Sequence, residues 1–311
     1  MMSKLGYCLP LALLIGACTP PGGAVERTAQ APVAIDSARL MHDIGVLAHD
    51  SMEGRMVGTP GNARARAFLE RSFRERGIQP IGTSTYLYPF SFTRGDTSRT
   101  GTNVVGQVRG SAVPERYIVI TAHYDHLGIR NGDIYNGADD NASGTAALLA
   151  IADHFVRNQP RHSIIFAALD AEEGGLRGAH AFVDSPPVDV RAIVLNINMD
   201  MVGRNDAGEL YVAGTSHYPQ LLPYVERVAA GAEVTLIPGH DRPAARPSDD
   251  WTNASDHAAF HRAGIPFLYF GVEDHPDYHR HTDELSGIQP GFYARAVRTV
   301  LSAVRLLDRE M

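Results

Sequence analysis

The feature that most constrains this chain is a repeated change of period, with short apolar, β-branched runs alternating with stretches of helical spacing. Residues 117–122 (YIVITA), 163–169 (SIIFAAL) and 191–198 (RAIVLNIN) are too short for buried helices and too apolar for loops, so they read as buried strands. Residues 209–213, 233–237 and 266–270 repeat the pattern in shorter form. Helical spacing marks 64–76 (RARAFLERSFRER, stopped by Gly77), the Ala- and Leu-rich 143–158, and 221–230 and 291–307. Such alternation implies an α/β fold with helices on both faces of the sheet. Residues 82–101 are less regular and are expected to form an edge hairpin. One domain over 35–311 accounts for the alternating region, which leaves no stretch of ~100 residues for an inserted second domain and shows no internal repeat.

The N-terminus follows another logic. Residues 1–17 open with Lys4 and an apolar run shorter than a bilayer span, which fits a signal peptide. The run ends Ile15-Gly16-Ala17-Cys18, which resembles a bacterial lipobox. That resemblance implies cleavage before Cys18 and its lipidation. Residues 18–34, rich in Pro, Gly and Ala, read as a flexible tether behind the lipidated Cys18. The expectation is an exported protein of the bacterial cell envelope, lipid-anchored at the periplasmic or outer-membrane face. Both cysteines, Cys8 and Cys18, fall in this segment, so the exported fold is expected to hold no disulfide.

The net charge of −7 argues against a nucleic-acid partner, which would require a basic face. Ligands in open α/β sheets gather outside the carboxyl ends of strands. Here those exits carry His123-Tyr124-Asp125-His126, Asp170-Ala171-Glu172-Glu173 and Met199-Asp200. Ahead of the 143–158 helix stands GADDNASG, and after 266–270 the loop His275 to Asp283 holds three histidines. Each exit alone reads as a solvated loop or a helix cap. Together these acids would repel one another unless a cation neutralised them. Mixed carboxylate and imidazole ligands suit zinc, with manganese or cobalt as substitutes. Asp139 competes with Asp140, and His281 with His279, for a ligand role.

The motifs HYDHLG, GADDNASG, DAEEGG, NMD and YHRHTDEL, in this order, resemble the di-zinc aminopeptidases of metallopeptidase clan MH. That group includes secreted bacterial aminopeptidases, glutamate carboxypeptidases and glutaminyl cyclases. The resemblance runs from about residue 47 to the end, through LAHDSMEGRMVGTPGN and SDHAAFHRAGIPFLYF. It implies a three-layer α/β/α fold around a mixed, mostly parallel sheet, the zinc-exopeptidase architecture of phosphorylase/hydrolase-like proteins.

The resemblance further implies two zinc ions. His123 and Asp200 would hold one and Glu173 and His279 the other, with Asp140 bridging both. The family spacing selects Asp140 over Asp139 and His279 over His281, and it implies a cis Asp140–Asn141 peptide. Asp125 matches the carboxylate that orients a ligand histidine, Glu172 the general base and Tyr278 an oxyanion-stabilising tyrosine. Asp256 and His257 read as structural or pocket-lining. Core packing is expected of Trp251 and Phe260, and surface or packing roles of His42, His49, His154, His162, His180, His217 and His240. The implied activity is release of N-terminal residues from peptide substrates. Glutaminyl cyclisation with one zinc, carboxypeptidase or dipeptidase activity, and a non-catalytic binding protein are the alternatives. The oligomeric state is not legible in the sequence.

Overall fold

Strand parity decides which helices cover which side of the sheet. The structure, a computed structural model, describes Met2 and residues 34–311 apart from 244, 245, 247 and 248. The expected signal segment, Cys18 and most of the tether lie outside the described residues. Among the described residues no helix is long and apolar enough to cross a membrane.

The elements in chain order are α1 (Ser37–Leu47), α2 (Pro60–Arg76), β1 (Leu87–Arg94), β2 (Thr97–Val108), β3 (Val113–His123), β4 (Gly128–Arg130), β5 (Asp133–Tyr135), α3 (Gly144–Arg157) and β6 (His162–Leu169). They continue with α4 (Arg177–Asp184), β7 (Ile193–Met199), β8 (Glu209–Ala213), α5 (Leu222–Ala229), β9 (Thr235–Pro238), α6 (His257–Arg262), β10 (Phe267–Gly271) and α7 (Pro290–Glu310). Helix α2 shows why local sequence suffices at its ends. Thr59 Oγ1 accepts the Asn62 amide at 3.2 Å, Pro60 takes the first position, and Gly77 closes the helix in the left-handed region at φ 80. Thr59→Ala is expected to cost about 1 kcal/mol and to lower the thermal midpoint by about 2–4 °C. An unchanged midpoint in calorimetry would show the cap to be idle.

Eight strands form one sheet in the order β1-β2-β6-β3-β7-β10-β8-β9. The pairs β3–β6, β3–β7, β7–β10 and β8–β9 are parallel, while β1–β2, β2–β6 and β8–β10 are antiparallel. Alternate residues of the central strands enter different cores. Ile118 and Ile120 of β3, with Ile164 and Phe166 of β6, pack under α1, α2, α3, α5 and α7 through Leu40, Phe73, Leu149, Val225 and Val297. Val119, Ile165 and Ala167 face the other way, against Ala179 and Phe182 of α4 and Phe260 of α6. The sheet is therefore covered on both faces, which gives the expected three-layer α/β/α fold.

The expected edge hairpin exists as β1–β2, with Leu87 opposite Val104, but its second arm reaches further than the sequence suggests. Residues Val104–Val108 pair with β6, which places β2 inside the sheet and leaves β1 as the edge. The physical reason is composition along one strand. Residues 97–100 of β2 are exposed and polar, whereas Val104 and Val105 are fully buried.

Candidate metal centre

Strand direction puts the chemistry in one place. Strands β6, β3, β7 and β10 are adjacent and run parallel to one another, so their carboxyl ends share one edge. The chain passes from β3 to β6 on one side and then to β7 on the other. A crevice therefore opens at the carboxyl ends of β3 and β7. His123 ends β3, Asp200 follows β7, Asp170 to Glu173 follow β6, and the histidine loop follows β10.

The GADDNASG loop is drawn into this edge by specific bonds. Asn141 Nδ2 donates to the Met199 carbonyl at 2.9 Å and its Oδ1 accepts the Gly144 amide at 2.8 Å. A Cβ on Gly144 would stand 2.5 Å from Met199 O, so only glycine permits that approach. Asp283 accepts the amides of Asp139 and Asp140, both at 3.0 Å, from the far side of the loop. Asp139 accepts the Gly203 amide at 2.7 Å and faces His275 Nε2 at 3.2 Å, so its carboxylate shapes the loop. Asp140 is left to point into the crevice, and the Asp140–Asn141 peptide is cis.

Two groups of side chains result. His123 Nε2 lies 3.3 Å from Asp200 Oδ1, 3.4 Å from Asp140 Oδ1 and 4.0 Å from Glu172 Oε2. His279 Nε2 lies 3.1 Å from Asp140 Oδ2 and 3.4 Å from Glu173 Oε2. Asp140 thus presents one oxygen to each group, as a bridging carboxylate must. His281 is exposed and rests its ring 6.2 Å from that of Tyr135, away from both groups. Ala171, Met201 and His279 take φ of 59, 57 and 56, a clustering of left-handed non-glycine residues beside the ligand candidates that is typical of functional sites.

The charge balance favours cations here. Burial pushes the Glu172 and Glu173 carboxyls up, and His123 only partly opposes this; Asp200 adds to the rise in both. Burial works to lower the His123 imidazole, yet Asp200, Glu172 and Asp140 outweigh it and hold its pKa well above the ordinary value. Asp200 is held below the usual carboxylate range because His123 and the Ser255 hydroxyl, which donates at 2.7 Å, overcome its burial. His126 is fully buried, and burial pushes its pKa down to about 3, so its ring is neutral. Its Nδ1 stands 2.7 Å from Glu173 Oε1, yet neither atom completes a hydrogen bond among the described residues. His126, Asp140 and Glu173 can bring one donor atom each within 4.8 Å of one another, as can His123, Glu172 and Asp200. Unpaired buried donors of this kind are costly unless a cation completes them, so the residues fit two metal ions of the zinc type.

The sequence reading and the structure differ at several side chains. The Asp125 carboxylate stands 3.7 Å from His123 Nδ1, while the Asp125 main-chain carbonyl is closer at 3.2 Å. The carboxylate instead accepts the Glu172 amide at 2.9 Å, tying the β3 exit to the β6 exit. Tyr278 lines the crevice and stacks on His279 with ring centroids 4.0 Å apart. Burial, then Asp140 and Asp200, raise its phenol, so it stays protonated and able to donate. Trp251 packs in the core beside Phe267 and Tyr269, as expected, and also lines the crevice; His180, expected in a surface or packing role, lines the crevice too, and Phe260 packs in the core. His257 stacks on Tyr269 at 4.5 Å with Nε2 beside the Trp251 carbonyl at 2.8 Å, a structural role. Asp256 is buried with neither carboxylate oxygen hydrogen-bonded among the described residues, and burial with nearby Asp200, against His123, raises it to about 7.

Two residues escaped the sequence reading. His126 was visible only as the second histidine of HYDH. His126→Asn is expected to weaken metal binding at Glu173 by about 10- to 100-fold. Titration with zinc would show it, and an unchanged affinity would reduce His126 to packing. The other is Arg55, which is fully buried and donates to the carbonyls of Leu47, Tyr124, Asn136 and Gly137 at 2.6–2.9 Å.

Fold and site together define the metallopeptidase class. Residues 103–304 match the family model described as Peptidase family M28, and the chain belongs to that family. It is 31% identical over 222 residues to Aminopeptidase YwaD of Bacillus subtilis (strain 168), covering 67% of this chain and 45% of that one. A probable zinc metalloprotease of Pyrenophora tritici-repentis (strain Pt-1C-BFP) is 27% identical over 271 residues, 72% of this chain and 54% of that one. The chain spans about half the length of the curated relatives it matches. Among solved structures, a zinc aminopeptidase from Bacillus subtilis aligns with TM-score 0.68 at 18% identity, covering 88% of this chain and 95% of that one. Porphyromonas gingivalis glutaminyl cyclase aligns with TM-score 0.72 at 20% identity, covering 89% and 99%. At such identities these two structures support the fold alone.

Proposed function

We propose that the chain is a two-zinc exopeptidase that removes N-terminal residues from peptides. The observation that carries this reading is Asp140, whose two oxygens face separate imidazole–carboxylate groups. In this reading His123 and Asp200 would hold one zinc, Glu173 and His279 the other, and Asp140 would serve both. When bound, the metal pair supplies Lewis acidity, lowering the pKa of a water and polarising the scissile carbonyl. Glu172 Oε takes a proton from the attacking water and delivers it to the leaving amine. The Asp125 carboxylate fixes the Glu172 main chain, and Asp125 O sets the His123 ring. The Tyr278 hydroxyl donates to the developing oxyanion. Leu176, Trp251 and Val272 give the crevice apolar walls for a substrate side chain.

The lipid anchor at the cell envelope is proposed on sequence alone, from the N-terminal apolar run and Cys18. Glutaminyl cyclisation shares the fold but, in the reading above, would need one zinc. Metal analysis of the purified protein, paired with a peptide bearing N-terminal Gln, separates the two. Two zinc ions per chain with release of free Gln supports the exopeptidase. One zinc with loss of ammonia and no free Gln would establish the cyclase instead.

A further inference from the structure

The crevice has a volume of about 630 Å³, and its lining is strongly asymmetric in charge. It carries five carboxylates, those of Asp140, Glu172, Glu173, Asp200 and Asp274. Arg262, from the last turn of α6, is the sole Lys or Arg among the described lining residues. Its partners are neutral. Nη1 lies 3.3 Å from His180 Nε2, and Nη2 donates to Asn253 Oδ1 at 3.3 Å. Burial and then Arg262 itself push the His180 imidazole down, so that ring serves as an acceptor rather than a second cation. Among the described residues no carboxylate stands within 4.0 Å of the Arg262 guanidinium.

A guanidinium offers five N–H donors in a planar fork matched to carboxylate oxygens. Two are engaged here, by groups that orient the fork without neutralising it. The His180 and Asn253 contacts come from two other segments and orient the guanidinium at the crevice wall, where Arg262 remains exposed. We propose that Arg262, oriented by His180 and Asn253, is a specificity-determining residue that binds a carboxylate of the peptide substrate. The proposal rests on the exopeptidase reading and names its substrate class: peptides that bear a carboxylate near the scissile bond. That carboxylate has two chemical sources, an acidic side chain on the N-terminal residue or the α-carboxylate of a dipeptide.

Two pairs of substrates separate the sources. Glu- and Gln-p-nitroanilide differ at the side chain, and Leu-Gly and Leu-Gly-amide differ at the terminus. The full-length, zinc-loaded protein is expected to favour the carboxylate member of one pair by about tenfold or more in kcat/KM. Arg262→Gln is expected to bring that ratio to near one. Arg262→Lys, which keeps the charge but loses the fork, is expected to retain only part of it. Because each ratio is taken within one protein, a general loss of folded enzyme does not alter it. Ratios near one in the wild type for both pairs, or a ratio unchanged in Arg262→Gln, would overturn the proposal while leaving the exopeptidase reading intact. If none of the four compounds is hydrolysed, that reading fails, and calorimetric binding of the same four decides. A carboxylate preference lost in Arg262→Gln would uphold the subsite, and no preference would overturn it.

Discussion

Glu172→Gln is expected to lower kcat by about 10²- to 10⁴-fold, the usual contribution of a positioned general base, while the protein keeps its metal. Gln has the same shape but cannot hold the transferred proton. The Glu172 main chain is pinned by its amide donating to Asp125 Oδ1 at 2.9 Å, so the substitution leaves the loop in place. Burial raises the Glu172 carboxyl, with Asp256, Asp200 and Glu173 adding to the rise and His123 opposing it. Positive charge nearby would bring the pKa down again. Glu172 also stands close enough to His123 and Asp200 to offer a ligand atom. Metal content measured beside kcat therefore decides its role. Lost activity with full metal identifies the base, lost activity with one ion missing identifies a ligand, and normal turnover removes Glu172 from the chemistry.

Arg55→Met is expected to destabilise the fold by about 3–5 kcal/mol, because it strands buried acceptors and removes a compensating charge. Arg55 has no exposed surface, and its guanidinium joins four main-chain carbonyls from three segments. Two of these, Asn136 and Gly137, lead directly into the loop bearing Asp140; a third, Tyr124, follows His123. Burial pushes the guanidinium pKa down to about 10, with Asp140 and Asp283 opposing, so Arg55 remains charged at neutral pH. The expected thermal midpoint is lower by roughly 10 °C, and zinc affinity falls with it because the supports of His123 and Asp140 relax. A midpoint within a degree of the wild type would mean that water satisfies those carbonyls and that Arg55 does not organise the site.

The fold was legible where strands are buried on both faces. YIVITA and SIIFAAL read as strands because neither side of β6, or of β3 from Ile118 onward, meets water, which leaves continuous apolar runs. Strand β2 was not legible as an interior strand, since its exposed first half looks like a hairpin arm and only Val104 and Val105 betray its buried half. The short helices α4 and α6 were likewise missed, because six to eight residues carry little periodicity of their own.

The candidate ligands were legible because each lies at a strand exit or in a recognisable motif, and the structure brings all five to one crevice. Choosing His279 over His281 needed the family spacing, and the ring positions agree with it. What stayed hidden depends on contacts distant in sequence. The carbonyl partners of Arg55 lie 8 to 82 residues away, and no local pattern announces them. His126 shares this property, since Glu173 reaches it only when β6 lies beside β3. His180 and Arg262 meet across 82 residues of sequence, so neither alone signalled a pocket wall.

The most direct measurement is hydrolysis of one peptide in two forms, with a free and with an acetylated N-terminus, by protein carrying two zinc ions per chain. Release of the first residue from the free peptide alone, abolished by removing the zinc and restored by adding it back, is the expected result. Cleavage of the acetylated peptide at an equal or greater rate, or cleavage that persists without metal, would contradict a two-zinc aminopeptidase.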